Sequence, residues 1–170
     1  MPHRRLRLAW AVVLALSLFM PGPAAALPRK GEPAPTIQVT STSGQRITNA
    51  NYGGYVLLVH FFATWCSPCR ESIPALIRLN KKFGAEGFQV LGLSIDEGGA
   101  RVVPAFIRDR KINYPVALAG DDIQRAYGVR SVPTFFLINR KGQVIEKFMG
   151  VSPETEREME SAIRKMLAEK

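Results

Sequence analysis

The chain has 170 residues, 23 basic and 14 acidic side chains, a formal net charge of +9 and 46% apolar residues. This length suits a single domain with one core, and the apolar content excludes an intrinsically disordered chain. The two cysteines are too few for a disulfide-stapled scaffold. No run of basic residues is long enough for a nucleic-acid-binding arm, so the basic excess predicts a solvated surface and no nucleic-acid partner.

The N-terminus has the layout of a secretory signal peptide. Arg4, Arg5 and Arg7 precede an uncharged apolar run over residues 8–20, and small residues at 24–26 offer a cleavage site. The run is short for a membrane-spanning helix, which needs about 20 residues. Residues 1–26 are therefore predicted to be a signal peptide, with an uncleaved anchor in the inner membrane as the alternative. Both predict an exported, periplasmic or otherwise extracytoplasmic protein.

The next part of the chain predicts a linker and then the start of a folded domain. Residues 27–35 are rich in proline and charge and are predicted as the linker, with the domain over residues 36–170. Short strands at 36–40 and 45–48, joined by a turn, predict an N-terminal β-hairpin. Residues 55–62 are nearly all apolar, β-branched or aromatic, which is typical of a strand buried on both faces.

Alternating helices and strands occupy the middle of the chain. Apolar residues at helical spacing predict a helix over residues 68–83, and an apolar run predicts a buried strand over 88–95. A helix between two such strands makes a right-handed crossover, which makes the strands parallel. The further predicted elements are a helix at 100–110, an extended segment at 114–118 and a brief helix at 122–127 capped by Asp121.

The C-terminal part predicts two antiparallel strands, at 134–138 and 143–148, and a final helix. Ser152 can cap this helix, and Pro153 suits its first position. The complete order, β-β-β-α-β-α-β-α-β-β-α, predicts an α/β domain with a mixed central sheet flanked by helices. Architecture alone does not assign a function.

Cys66 and Cys69 lie where the buried strand meets the first long helix, with two residues between them. This spacing at a helix start brings the two sulfurs together, so a reversible disulfide can form. The positive potential of a helix N-terminus stabilises a thiolate, so the pKa of Cys66 is expected to lie below its free value of about 8.5. Cys66 is therefore predicted to be the attacking nucleophile, and the more buried Cys69 the resolving thiol.

Two alternatives to redox chemistry are a structural disulfide and a metal site. A disulfide over so short a loop stabilises a fold by only about 2 kcal/mol in the chain-entropy estimate. Two cysteines supply half of a tetrahedral metal site, and no second CxxC or histidine pair completes the set. Redox chemistry is the favoured interpretation, and neither a metal nor another cofactor is expected.

The motif WCSPC spans residues 65–69, and the motif VPT spans residues 132–134. Together with the stretches 61–70 and 127–138, these motifs resemble the thioredoxin superfamily, and most closely its TlpA/ResA/CcmG-like branch of exported thiol-disulfide oxidoreductases. The resemblance runs from about Gly31 to the C-terminus. It implies a thioredoxin-like fold, dithiol/disulfide exchange through the cysteine pair, and a disulfide-containing protein as substrate.

The resemblance also assigns supporting roles near the cysteines. It implies that Pro133 follows a cis peptide bond and holds the backbone of Val132 toward Cys66, where an extended substrate can pair with it. The alternative is an ordinary edge or turn proline. Trp65 is implied to flank and shield the thiol, with a merely packed tryptophan as the alternative, and Pro68 is a supporting residue of the motif.

The sequence departs from this family pattern at two positions. Thioredoxins carry a buried aspartate six residues before the first cysteine, where this chain has His60. Burial on an apolar strand lowers the pKa of an imidazole, and a neutral His60 could accept the proton of Cys69. The alternative is a hydrogen-bonded core histidine without a catalytic role. ResA-like relatives often carry a glutamate where this chain has Ser72, and Glu71, one position earlier, is expected to point to solvent.

The resulting hypothesis is an exported reductant of protein disulfides, re-reduced by a membrane thiol reductant because an exported compartment is oxidising. By resemblance, the substrate is an apocytochrome c with a CxxCH motif or an assembling copper protein. Three alternatives stay open. They are a disulfide oxidant, a peroxide reductase, and a non-enzymatic copper-handling chaperone that binds Cu(I) through Cys66 and Cys69, with His60 as a candidate third ligand.

Overall fold

The computed structural model describes residues 27–169, so the predicted signal peptide or anchor lies outside the described residues. The elements follow the predicted order, and their bounds differ from the predicted ones by at most two residues. None of the helices within residues 27–169 is long and apolar enough to cross a membrane. The strands are β1 (Gln38–Thr40), β2 (Arg46–Thr48), β3 (Val56–Phe62), β4 (Phe88–Ser94), β5 (Val116–Leu118), β6 (Thr134–Ile138) and β7 (Val144–Met149). The helices are α1 (Ser67–Phe83), α2 (Gly99–Arg110), α3 (Asp121–Ala126) and α4 (Pro153–Ala168).

Five strands form one mixed sheet in the order β5-β4-β3-β6-β7. Strand β3 is parallel to β4 and antiparallel to β6, and every residue of β3 is buried because both faces of this central strand are covered. Strands β1 and β2 form a separate antiparallel hairpin in which Val39 pairs with Ile47. The predicted α/β fold, with a mixed sheet and an N-terminal hairpin, is confirmed.

The alternating side chains of β3 divide the core into two layers. On one face, Leu58 and Phe62 pack with Leu76 of α1 and with apolar residues of α2 and α4. On the other face, Leu57 packs with Ile47 of the hairpin and with apolar residues of α3. The cysteine pair belongs to the first layer, at the N-terminal end of α1 and close to the end of β3.

Residues 31–48, here called the N-terminal strap, cross the sheet and bond to both of its edges. At one edge, the N–H of Gly31 donates to the carbonyl of Val144, at the start of β7, at 2.7 Å. At the other edge, the N–H of Thr42 donates to the carbonyl of Val116 in β5 at 2.8 Å. Open edge strands are templates for pairing with other chains, and the strap covers part of each edge.

The sequence predicted an N-cap for two helices, α4 and α3. Ser152 Oγ accepts the N–H of Thr155 at 3.1 Å, and Pro153 lies in the first turn of α4, so this prediction is confirmed. The prediction that Asp121 caps α3 is wrong, because Gly120 occupies the cap position and Asp121 is the first helical residue. A carboxylate in the first turn is still favoured there by the helix dipole.

Candidate active site

The disulfide between Cys66 and Cys69 lies at the junction of β3 and α1. A turn over residues 63–66 connects the two elements, and within it the N–H of Cys66 donates to the carbonyl of Ala63 at 3.2 Å. Cys66 is the N-cap residue of α1, and its Sγ accepts the N–H of Cys69 at 3.2 Å. Pro68 occupies the first turn, where a missing N–H costs no intrahelical hydrogen bond.

The two sulfurs have different surroundings. Cys66 is 6% exposed at the helix N-terminus, whereas Cys69 is fully buried, as the spacing predicted. Hydrogen-bond donors and positive potential at a helix N-terminus favour a thiolate. The arrangement can therefore perform reversible thiol-disulfide exchange. Cys66 can attack an external disulfide, and the buried Cys69 can then resolve the mixed disulfide.

Strand β6 brings a second segment against the cysteines. The Val132–Pro133 peptide bond, directly before β6, is cis, and the carbonyl oxygen of Val132 lies 3.6 Å from Cys66 Sγ. Antiparallel pairing of Thr134 with Phe61 of β3 fixes this approach. A disulfide sulfur has no proton to donate, so this contact is not a hydrogen bond in the oxidised protein. It brings a backbone carbonyl beside the sulfur that a substrate must reach.

Trp65 lies on the surface beside the cysteines. Its side chain is 66% exposed, so the alternative of a packed core tryptophan is wrong. Ser67 and Pro68, on the other side of Cys66 in the chain, are exposed as well. The surface around the nearly buried Cys66 is therefore open to a partner protein.

Thr64, in the turn before Cys66, is bound by Asp96 from the loop after β4. The N–H of Thr64 donates to Asp96 Oδ2 at 2.9 Å and to Oδ1 at 3.2 Å, and Thr64 Oγ1 donates to Oδ1 at 2.6 Å. Sequence reasoning missed Asp96. The available signal was its position just after β4, because the carboxyl ends of parallel neighbours such as β3 and β4 lie at the same edge of a sheet.

His60 is completely buried in β3, between two aromatic rings. Its imidazole stacks on Phe135 with ring centres 4.7 Å apart and on Phe62 at 5.1 Å. Within residues 27–169, neither ring nitrogen has a hydrogen-bond partner, so the hydrogen bonds expected for a non-catalytic core histidine are not formed there. Burial lowers the pKa of His60 to about 3, which makes the ring neutral at pH 7. The period of two along a strand directs it to the face of Leu58 and Phe62, the layer that contains Cys69.

Ser72 and Glu71, neighbours in α1, have different environments, and Glu71 is exposed as expected. Ser72 is buried, and its Oγ donates to the carbonyl of Cys69 at 2.8 Å, whereas Glu71 is exposed. A neutral hydroxyl thus lies against the backbone of Cys69. Within residues 27–169, no cluster of three or more His, Cys, Asp and Glu side chains could hold a metal ion.

The mixed sheet, the CxxC disulfide at a helix N-terminus and the adjacent proline define a thiol-disulfide oxidoreductase with a thioredoxin fold. Residues 29–164 match the Redoxin family. This chain belongs to that family.

Curated and structural relatives agree with this assignment. The chain is 31% identical over 137 residues to thiol-disulfide oxidoreductase ResA from Bacillus thuringiensis subsp. konkukian, covering 80% of this chain and 78% of the relative. It is 31% identical to ResA from Bacillus subtilis over 127 residues, covering 74% and 70%. The crystal structure of a putative thiol:disulfide interchange protein DsbE from Chlorobium tepidum superposes with a TM-score of 0.77, at 31% identity, over 83% of this chain and 99% of that one.

Proposed function

We propose that this protein is an exported reductant of disulfides in a few protein substrates. The observation that supports this chemistry is the difference between the two cysteines: Cys66 is slightly exposed at the helix N-terminus, whereas Cys69 is fully buried. Family membership supplies the thiol-disulfide exchange. The direction of electron flow, the substrate and the location are what the proposal adds.

The proposed reaction begins with the reduced enzyme. The Cys66 thiolate attacks one sulfur of a substrate disulfide, and the second substrate sulfur leaves as a thiolate. The Cys69 thiolate then attacks Cys66 Sγ, which closes the Cys66–Cys69 disulfide and releases the first substrate sulfur as a thiolate. The substrate disulfide gains two electrons and the enzyme dithiol loses two. A donor must return them, and we propose a membrane thiol reductant.

The neutral state of His60 supports a reductant over an oxidant. Strongly oxidising pairs depend on a highly stabilised attacking thiolate, and nearby cations supply such stabilisation. At pH 7 the buried His60 carries no charge, because its pKa is lowered to about 3. The helix N-terminus remains a source of stabilisation, and it is common to reductants and oxidants alike.

We also propose that His60 accepts the proton that Cys69 releases. Neither ring nitrogen has a partner in the described part of the chain, and the ring faces the layer that contains Cys69. The low pKa makes His60 a weak base in the oxidised enzyme, but a thiolate forming nearby would raise it. In a His60→Leu variant, we expect the mixed disulfide to resolve several-fold more slowly, with formation unchanged. Equal resolution rates would exclude this role.

The proposed substrate is an exported protein with an accessible disulfide, such as an apocytochrome c with a CxxCH motif or an assembling copper protein. An extended substrate backbone would pair beside Val132, whose carbonyl already lies 3.6 Å from Cys66 Sγ. The export proposal depends on the sequence of residues 1–26, with soluble and membrane-anchored forms as the two outcomes.

The decisive measurement is the reduction potential of the Cys66–Cys69 pair, found by equilibrating residues 27–170 with a thiol redox buffer. We expect a value near that of thioredoxin, about −270 mV. A value of about −120 mV would make the protein an oxidant and contradict the proposal. The control is Cys69→Ser, which cannot form the internal disulfide and should show no two-electron transition.

A further inference from the structure

The turn that carries Cys66 into α1 depends on Thr64. Ala63 is buried at the end of β3, but Trp65 is 66% exposed and contributes little packing. Every polar atom of Thr64 is bound by a side chain from outside the turn. Its N–H and Oγ1 donate to Asp96, and its carbonyl accepts from Arg70 Nη1 at 3.5 Å. The turn is thus held from both sides through this one residue.

Asp96 is itself fixed to the sheet. Ser94, the last residue of β4, is 1% exposed, and its Oγ donates to Asp96 Oδ2 at 2.7 Å while accepting the N–H of Asp96 at 3.1 Å. The N–H of Ile95 donates to the carbonyl of Phe62, which ties this loop to the end of β3. The Asp96 carboxylate therefore accepts hydrogen bonds from both Thr64 and Ser94. Hydrogen bonds to a charged acceptor are stronger than those between two neutral groups.

We propose that Asp96 is a positioning residue for Cys66. In the oxidised protein the disulfide holds Cys66 in place, but in the reduced protein this covalent constraint is gone. The Asp96–Thr64 hydrogen bonds then hold the turn, so that Cys66 Sγ stays at the helix N-terminus and beside Val132. This inference needs only the exchange reaction of the family, and it holds for either direction of electron flow.

The size of the expected effect follows from the geometry of exchange. Cys66 Sγ must line up with a substrate disulfide in one step and with Cys69 in the next. A displacement of about 1 Å can cost up to a hundredfold in rate. Loss of the Asp96–Thr64 hydrogen bonds should therefore lower the rate of the chemical step. Substrate binding, which uses the outer surface, should be nearly unchanged.

Two substitutions at one position separate geometry from charge. In Asp96→Asn, the amide oxygen can still accept the N–H of Thr64, and the hydroxyls of Thr64 and Ser94 can rotate to suit the new NH₂ group. In Asp96→Ala, all of these bonds are lost. We measure kcat and KM for reduction of insulin disulfides by the full mature chain. We expect Asp96→Ala to lower kcat about tenfold with KM within about twofold, and Asp96→Asn to stay within about threefold of the original.

A matched control and a direct readout complete the test. Asp109→Ala removes an exposed carboxylate from α2 and should leave kcat unchanged. Amide exchange of the Thr64 N–H, followed by NMR, should accelerate in Asp96→Ala, and more in the reduced than in the oxidised protein. Amides in the middle of β4 should keep their protection, because the positioning effect is confined to the turn.

Three results would overturn the inference. One is an Asp96→Ala enzyme with lower thermal stability but an unchanged kcat, which would make the role merely structural. Another is an Asp96→Asn enzyme as impaired as Asp96→Ala, which would make charge, not position, the cause. If Asp96→Ala does not fold, the Thr64→Val variant tests the inference instead. It removes the hydrogen bond from the Thr64 hydroxyl to Asp96 and keeps the side-chain shape. We expect kcat to fall about fivefold in this variant, and an unchanged value would reject the inference.

Discussion

His60 is a buried polar residue that no hydrogen bond within residues 27–169 stabilises. A buried polar group without a hydrogen-bond partner costs about 1–3 kcal/mol, and both nitrogens of His60 lack one. Stacking on Phe62 and Phe135 recovers only part of this cost, because aromatic pairs contribute about 0.5–1.5 kcal/mol each. A destabilising side chain in the layer that contains Cys69 indicates a functional constraint at this position.

The buried imidazole should make the protein sensitive to acid. The pKa of His60 is lowered to about 3 in the fold and is about 6.5 in the unfolded chain, so the unfolded state binds the extra proton between these values. Stability is therefore full above pH 6.5 and falls as the pH drops below it. We expect a loss of about 2 kcal/mol from this group between pH 7 and pH 5, measured by urea unfolding. His60→Leu should abolish this part of the pH dependence, and an unchanged slope in the variant would contradict it.

The roles of the two cysteines can be separated by trapping. Cys69→Ser should accumulate a mixed disulfide between Cys66 and a substrate, because the resolving thiol is gone. Cys66→Ser should accumulate none, since Cys69 is fully buried. Mass spectrometry after mixing with an oxidised substrate distinguishes the two variants, and a mixed disulfide on Cys69 would reverse the assignment.

At the scale of elements, the hydrophobic pattern was sufficient to predict the order of helices and strands, but not the helix caps or the contacts between loops. The buried runs in β3 and β4 and the helical spacing of α1 predicted a parallel pair with a crossover, because these patterns are local. The cap of α3 was mispredicted, because residue type alone does not distinguish the cap position from the first turn. Asp96 was missed because its bonds to Thr64 join residues far apart in the sequence.

The N-terminus of α4 offers a test of a single local interaction. Ser152→Ala removes the acceptor for the N–H of Thr155 and should destabilise the protein by about 1 kcal/mol in chemical unfolding. Ser161→Ala, an exposed position inside the same helix, is the matched control. It should be neutral or slightly stabilising, because alanine has the higher helix propensity. Equal effects at both positions would reject the cap as the cause.

At the scale of the whole molecule, the N-terminal strap forms backbone hydrogen bonds with both edges of the five-stranded sheet. Besides Gly31, residues 32 and 34 exchange backbone hydrogen bonds with residues 142–144. Sequence analysis predicted a hairpin here but could not predict these contacts, since they depend on where β7 lies after the sheet has formed. The short β1 and β2 strands gain support from this position, because an isolated hairpin is only marginally stable.

Shortening the chain measures what the first part of the strap contributes. Residues 36–170 lack the three backbone hydrogen bonds to residues 142–144 and also the Pro35 carbonyl, which accepts from Tyr127 Oη and Asn49 Nδ2. We expect a stability loss of about 3 kcal/mol or more in urea unfolding relative to residues 27–170. The newly open edge at β7 should also increase light scattering at high concentration. Residues 31–170 keep all three bonds and serve as the control. Equal stability of the 36–170 and 31–170 proteins would show that these bonds contribute nothing.

The strap also sets an order of events during synthesis. The chain emerges N-terminus first, yet Gly31 cannot reach its partner until Val144 has been made. The cysteine pair lies between the end of β3 and the first turn of α1, both in the first half of the chain. Both cysteines are therefore made before the Val132 carbonyl and before either of the covered sheet edges, β5 and β7. The oldest part of the polypeptide is thus secured only after most of the chain has been made.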